Sequence, residues 1–197
     1  MTVATAARPT MKERQRQLRE DAILDAARDL LSTKGFVAMT LEDVINEVGI
    51  SKPTFYQHFV SKEELGIRVL VRAMQAAQAH LKSLDASLPP DQVFTALVSW
   101  LFDHHFGPER FSDFSGMLSI YYNDAVRQAE SNLVLTLAAA AKRGQRAGAV
   151  RKDIASKLIA QTVHSILRDP TYLYEHSKGK FDVAGLKAGV TKLFTCP

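Results

Sequence analysis

The sequence predicts an all-α protein. Two observations carry that reading. Apolar residues, the β-branched ones included, recur at helical spacing, and no stretch sustains the period-two alternation of a half-buried strand. The segments so marked are also punctuated as helices are, with hydroxyl or carboxylate residues where N-caps belong and glycines where helices end. No internal repeat or low-complexity block interrupts the pattern.

The elements follow in order. A first helix is expected from about Lys12 to Thr33, its apolar stripe made by Ile23, Ala27, Leu30 and Leu31. Gly35 stands where a helix end takes a positive φ, and Phe36 can fold back on the last turn. "TLED" at Thr40 is a capping box with Asp in place of the usual Glu. It opens a second helix carrying Leu41, Val44, Ile45 and Val48 on one face, and Gly49 ends it. A third helix of roughly two turns starts at Ser51; Pro53 is tolerable there because first-turn amides lack intrahelical partners. "SKEE" at Ser61 reads as a full capping box for a fourth helix running through Leu65, Val69 and Ala73 to about Leu84. "SLPPD" at 87–91 is the clearest linker. Five more helices are expected at about 91–106, 109–122, 124–147, 153–173 and 182–195, about nine in all.

Composition narrows the functional classes. The chain has 197 residues, 46% apolar and 23% charged, as ordinary globular domains do. No apolar run is long enough to span a bilayer, and "MTVATAARPTMKERQRQLRE" lacks the apolar centre of a secretory signal. The single cysteine, Cys196, cannot staple the fold or build a usual zinc site, which fits a reducing cytoplasm. No phosphate loop, nucleophile elbow, H-e-x-x-H pattern or paired-carboxylate signal suggests an enzyme, and no cofactor or metal is expected. Asp103, His104 and His105 are metal-ligand types, but adjacent helical histidines diverge by about a quarter turn. The net charge of +4 is mild, yet residues 1–19 hold Arg8, Lys12, Arg14, Arg16 and Arg19 against Glu13 alone, a basic arm running into the first helix.

Two helices joined by a tight glycine turn, the second short and polar outside, make a helix-turn-helix. Val44, Val48, Ile50 and Phe55 are expected to lock the pair together. Ser51, Lys52, Thr54, Tyr56, Gln57 and His58 remain outside, all able to donate hydrogen bonds and none acidic. Singly, each is what any solvated helix carries. As a set without one carboxylate they suit the polyanionic backbone of duplex DNA, Gln57 and Thr54 being placed for base edges.

The run "TLEDVINEVGISKPTFYQHFVSKEEL" resembles the DNA-binding signature of TetR-type transcriptional regulators. Thr40, Gly49, Ser51, Lys52, Thr54, Tyr56, His58, Phe59, Lys62, Glu63, Glu64 and Leu65 match that pattern, and upstream "ILDAARDLLSTKGFVAMTLEDV" is similar to the family's first helix. Ile45 and Val48 depart from its usual alanines, and Pro53 from its frequent glycine. The resemblance implies a three-helix helix-turn-helix DNA-binding domain over 12–65 and a helical effector-binding and dimerisation domain over 66–197. It implies DNA contacts from Arg14, Arg16, Thr40, Ser51, Lys52, Pro53, Thr54, Tyr56, Gln57, His58 and Lys62. It also implies a homodimer on a palindromic operator, released when a small, largely apolar effector binds. An effector-independent or activating protein of the same fold is the alternative. Aromatic-rich residues 94–122 supply pocket candidates in Trp100, His104, Phe114, Met117, Tyr121 and Tyr122, with His164 beyond them. Two amphipathic segments near the C-terminus supply a dimer seam through Leu158, Thr162, Ile166, Leu186, Val190 and Leu193.

Overall fold

The computed structural model describes residues 10–107 and 118–196. No strand occurs among them; the only pairing of extended backbone is an isolated bridge between Val150 and Thr195. The described residues form two compact units, residues 10–69 with 118–120 and residues 70–107 with 121–196.

In the first unit, α1 spans Met11–Ala38, α2 Leu41–Val48 and α3 Lys52–Tyr56. Helix α1 starts next to the expected Lys12, where Thr10 and Glu13 close a reciprocal capping box with bonds of 3.2 and 2.7 Å. The basic segment is therefore helical from Met11 on, so Arg14 and Arg16 project from a helix. Gly35, at φ 76°, breaks the helical path and lets Phe36 turn inward, where it is 6% exposed. Thr40 Oγ1 accepts from the Asp43 amide at 3.1 Å and Asp43 Oδ2 from the Thr40 amide at 2.9 Å, the expected box. Gly49, at φ 70°, ends α2 in the left-handed region. Ile23, Ala27, Leu31, Met39, Val44, Phe55, Phe59 and Leu65 are fully buried and make the unit's core.

Helix α4, Lys62–Ser87, opens on half a capping box. Ser61 Oγ accepts from the Glu64 amide at 3.1 Å, but the Glu64 carboxylate takes the Val60 amide at 2.7 Å, not that of Ser61.

Helix α6 (Leu118–Tyr121) belongs to the first unit except for its last residue, and the second unit holds α5 (Val93–His105), α7 (Asp124–Ala147), α8 (Ser156–Arg168), α9 (Pro170–Ser177) and α10 (Val183–Phe194). Of the helix expected at 109–122, residues 118–122 are described, and 118–121 of them are helical. The helix expected at 153–173 is in fact two. Asp169 precedes a proline, which disfavours helical backbone; it sits at ψ 117°, ends α8, and caps α9 by accepting from the Thr171 amide at 2.8 Å. Phe94, Leu97, Val98 and Phe102 of α5 pack with Leu137, Ala140 and Ala141 of α7, Ile159, Ala160 and Val163 of α8, and Val190 and Phe194 of α10. The terminus is tied down, since the Cys196 amide donates to the Ala149 carbonyl at 2.9 Å.

Asp43 accepts from the Lys34 ammonium, the Thr40 amide and the Thr40 hydroxyl, and these bonds hold its carboxyl down to about 2. A carboxylate with a depressed folded pKa stabilises above its unfolded value and loses that contribution as pH falls through the folded one. D43N is therefore expected to melt earlier than wild type near neutral pH. The gap should close as pH falls from about 4 to about 2, which thermal melts followed by circular dichroism would record; a gap constant across that window would show that the carboxylate does not cap α2.

Candidate nucleic-acid interface

The helix-turn-helix is built from the inside out. Phe55 is fully buried and anchors α3, with Phe59 beneath it at a ring separation of 5.8 Å. Ser51 caps the helix, its Oγ 3.3 Å from the Thr54 amide and 2.8 Å from Thr54 Oγ1. With Phe55 facing in, helical geometry turns Ser51, Lys52, Pro53, Tyr56 and Gln57 to solvent, with Thr54 half-buried at their edge. Tyr56 is 45% exposed while one ring edge rests on Phe55. The expected locking set is present in graded form: Val44 and Phe55 fully buried, Val48 and Ile50 partly so.

His58 is not an outer residue. Its side chain is 2% exposed, and Nδ1 has no hydrogen-bond partner among the described residues, lying 3.8 Å from Glu20 Oε2. Arg68 bonds the other Glu20 oxygen and stands over the Phe59 ring. The chain leaves α3 with a turn at Gln57, which carries His58 inward toward α1. A histidine suits either face of a helix by composition, so sequence pattern alone misplaced it. Glu20 and Arg68, which join α1 to α4 around it, were missed because their 48-residue separation leaves no local signal.

The basic groups are not bare. Lys52 Nζ lies 3.0 Å from Glu42 Oε1 on α2, both side chains well exposed. The pairing lowers the Glu42 carboxyl and raises the Lys52 ammonium from their ordinary values. Lys62 donates to the Val37 carbonyl at 3.2 Å and lies 4.7 Å over the Phe36 ring. Thr40 is exposed and spends its hydroxyl oxygen as a cap acceptor. Arg14 and Arg16 are exposed on the first turns of α1.

Residues 23–69 match the model of the family described as bacterial regulatory proteins, tetR family. The helix-turn-helix is of the TetR type. Among curated relatives, the chain is 40% identical over 91 residues to the HTH-type transcriptional regulator AlkX of Mycobacterium tuberculosis. It is 37% identical over 73 residues to the HTH-type transcriptional regulator EthR of Mycolicibacterium smegmatis. These alignments take in 44% and 37% of this chain and 42% and 34% of the relatives, so the chain spans less than half of their length. The relatives are named as regulators, not enzymes. Among solved structures, Escherichia coli NemR in its reduced form superposes with a TM-score of 0.71 at 18% identity, over 91% of this chain and 98% of that one. FadR from Bacillus subtilis, in complex with stearoyl-CoA, gives 0.69 at 15%, over 88% and 96%. At these identities the likeness is one of fold, an N-terminal TetR-type unit followed by a helical C-terminal part.

Beyond the TetR-type unit, the pocket candidates divide. Trp100 is half-buried and stacks between His80 and His104, at ring separations of 4.4 and 4.6 Å, with His104 exposed on the outer side. Tyr121 and His164 belong to a different cluster, with Arg168. Tyr122 is 76% exposed and faces solvent, not an interior pocket. Phe114 and Met117 lie outside the described residues. Of the seam candidates, Leu158 and Leu193 are 55% and 58% exposed, Thr162, Ile166 and Leu186 are partly buried, and Val190 is 2% exposed in the core of its own unit. Val190 therefore has no surface to offer a second copy. Among the described residues no group of three or more histidine, cysteine or carboxylate side chains is placed to hold a metal, and no helix is long and apolar enough to cross a membrane.

Because Glu42 competes with any phosphate for Lys52, E42Q is expected to tighten duplex binding by roughly two- to fivefold on all sequences alike. Fluorescence anisotropy on operator and random duplexes would measure it. Unchanged or weaker binding would place Lys52 away from phosphate.

Proposed function

We propose that the chain is a cytoplasmic, DNA-binding transcriptional repressor. It acts as a homodimer on a palindromic operator and is released when a small, largely apolar molecule binds the part beyond residue 65. The observation that carries the reading is the outer face of α3, which holds Ser51, Lys52, Pro53, Thr54, Tyr56 and Gln57 without a carboxylate. Ser51, Lys52, Tyr56, Lys62 and Thr40 suit phosphate oxygens; Gln57 and Thr54 suit base edges. Arg14 and Arg16 on α1 suit neighbouring phosphates. The matched regulators support the reading through their helix-turn-helix alone.

Dimerisation has a physical purpose. One five-residue helix touches few bases, whereas two copies read half-sites about one turn, roughly 34 Å, apart. The outer face of α8, where Leu158, Thr162, Ile166 and Tyr172 line an open groove, and exposed Leu193 on α10 supply the apolar surface for a twofold contact. An effector would act by binding one spacing of the two recognition helices more tightly than the other. Helix α4, unbroken from Lys62 to Ser87, is the element suited to carry that bias.

Selection of bound duplexes from a random pool tests the reading as a whole, with enrichment of an inverted repeat as the expected result. K62A is expected to weaken binding to all duplexes alike and to shallow the logarithmic salt dependence by about one unit; a changed sequence preference would contradict a phosphate role. L158R is expected to give monomers in sedimentation with unchanged helical content, and to cost more than about a hundredfold in operator affinity through lost bivalency. Dimeric L158R would move the seam off α8.

A further inference from the structure

The second unit contains a polar cluster that composition did not reveal. Glu130 of α7 is 8% exposed, a buried charged side chain where the rest of the buried set is apolar among the described residues. Arg168, the last residue of α8, places Nη1 2.7 Å from Glu130 Oε1, yet out of hydrogen-bond alignment, so this buried oxygen has no aligned donor. The Arg168 guanidinium also lies 4.4 Å over the ring of Tyr121, at the end of α6. His164 stands one turn before Arg168 on the same helix. Burial, reinforced by the Arg168 charge, holds His164 down to about 4, so it is a neutral imidazole near pH 7. Burial also pushes the Tyr121 hydroxyl and the Glu130 carboxyl up, the latter against the pull of Arg168.

The arrangement costs stability as it stands. A buried carboxylate is ordinarily met by several aligned donors, and an ion pair lacking them rarely repays its desolvation. Arg168 contributes five N–H groups in a planar fork, and no aligned hydrogen bond to the described residues occupies them. Its side chain is 39% exposed, held from one face by the Tyr121 ring and from one edge by Glu130. A guanidinium fixed on two sides and open on a third is pre-organised for a planar anion.

We propose that Tyr121, Glu130, His164 and Arg168 form the polar end of the effector site and accept the carboxylate of an otherwise apolar acid. This rests on the effector reading above and names the head group that reading leaves open. The ligand carboxylate takes the open edge of Arg168 in a bidentate pair. Neutral His164 contributes a hydrogen bond without adding charge. Glu130, poorly aligned with Arg168, gives up part of its hold as the second carboxylate arrives. A cationic ligand is disfavoured, because the Tyr121 face and the Glu130 carboxylate already hold the Arg168 cation.

The test is calorimetric titration of the full chain with octanoate, dodecanoate, naphthylacetate and cholate, each beside its matched alcohol and amine. Acids are expected to bind about tenfold or more tighter than their alcohols. E130Q, which removes the competing charge, is expected to tighten acid binding. R168M is expected to abolish the preference for acids. The double variant E130Q/R168M, which buries no unpaired charge, guards against misfolding of R168M and is expected to bind acid and alcohol alike. Equal binding of acid and alcohol by wild type, preference for the amine, retention of acid preference in the double variant, or no binding of any acid overturns the assignment. Operator release, followed in parallel by anisotropy, separates the two readings. Release by an alcohol or amine with no acid binding leaves the effector reading standing and removes the head-group assignment. Arg168-dependent acid binding that leaves operator affinity unchanged does the reverse.

Discussion

The burial of Phe55 is the constraint on which the rest of the N-terminal unit depends. A five-residue helix has too few internal hydrogen bonds to hold itself in water, so α3 exists only because its anchor is inserted into the core. Truncating a fully buried phenylalanine costs about 3–5 kcal/mol, a large share of the stability of a small domain. The anchor also sets orientation. Once Phe55 and, one turn later, Phe59 are buried in the unit's core, the rotation of α3 about its axis is settled. Gly49, Ser51 and the Thr54 amide settle where it begins. The side chains facing outward follow from packing, and the face they form is the one proposed to meet duplex.

Around that face the charges are arranged for exchange. Lys52 is held by Glu42, Lys34 by Asp43, and Lys62 by a carbonyl and an aromatic ring. Each partner keeps a flexible side chain near one position, which reduces the entropy lost when an anion takes the partner's place. Each also weakens the net attraction, since a phosphate must replace the partner. If this face meets duplex as proposed, such an arrangement relinquishes some non-specific affinity and leaves discrimination more heavily to Gln57, Thr54 and the geometry of a dimer.

Local signals made much of this legible in sequence. Capping boxes, glycine stops and apolar periodicity are encoded within four or five residues, so α2, α3, α7 and their boundaries could be read directly, as could the glycine break at Gly35. What escaped was decided over longer distances or by the smaller of two local effects. Asp169 and Pro170 interrupt a segment whose apolar spacing continues through them, and the backbone restriction before proline outweighs the pattern. His58 and Val190 are of residue types that suit either surface or interior, and only the packed helices around them choose. Glu130 and Arg168 look like ordinary solvated helix charges until α7 and α8 are laid side by side.

Helix α8 shows why such long-range pairings matter to function. At about 100° per residue, Ile159, Ala160, Val163 and Leu167 occupy one sector and lock the helix into the core. His164 and Arg168 flank that sector on one side, while Leu158, Thr162 and Ile166 flank it on the other. A helix of 13 residues packed into a dense interior moves as a rigid body. A ligand that shifts the backbone of α8 through Arg168 therefore either strains the Val163 sector or carries the Leu158 face with it. If Leu158 meets a second copy, the head-group site and the subunit contact are two flanks of one rod, and their coupling requires no further intermediary than the rod itself.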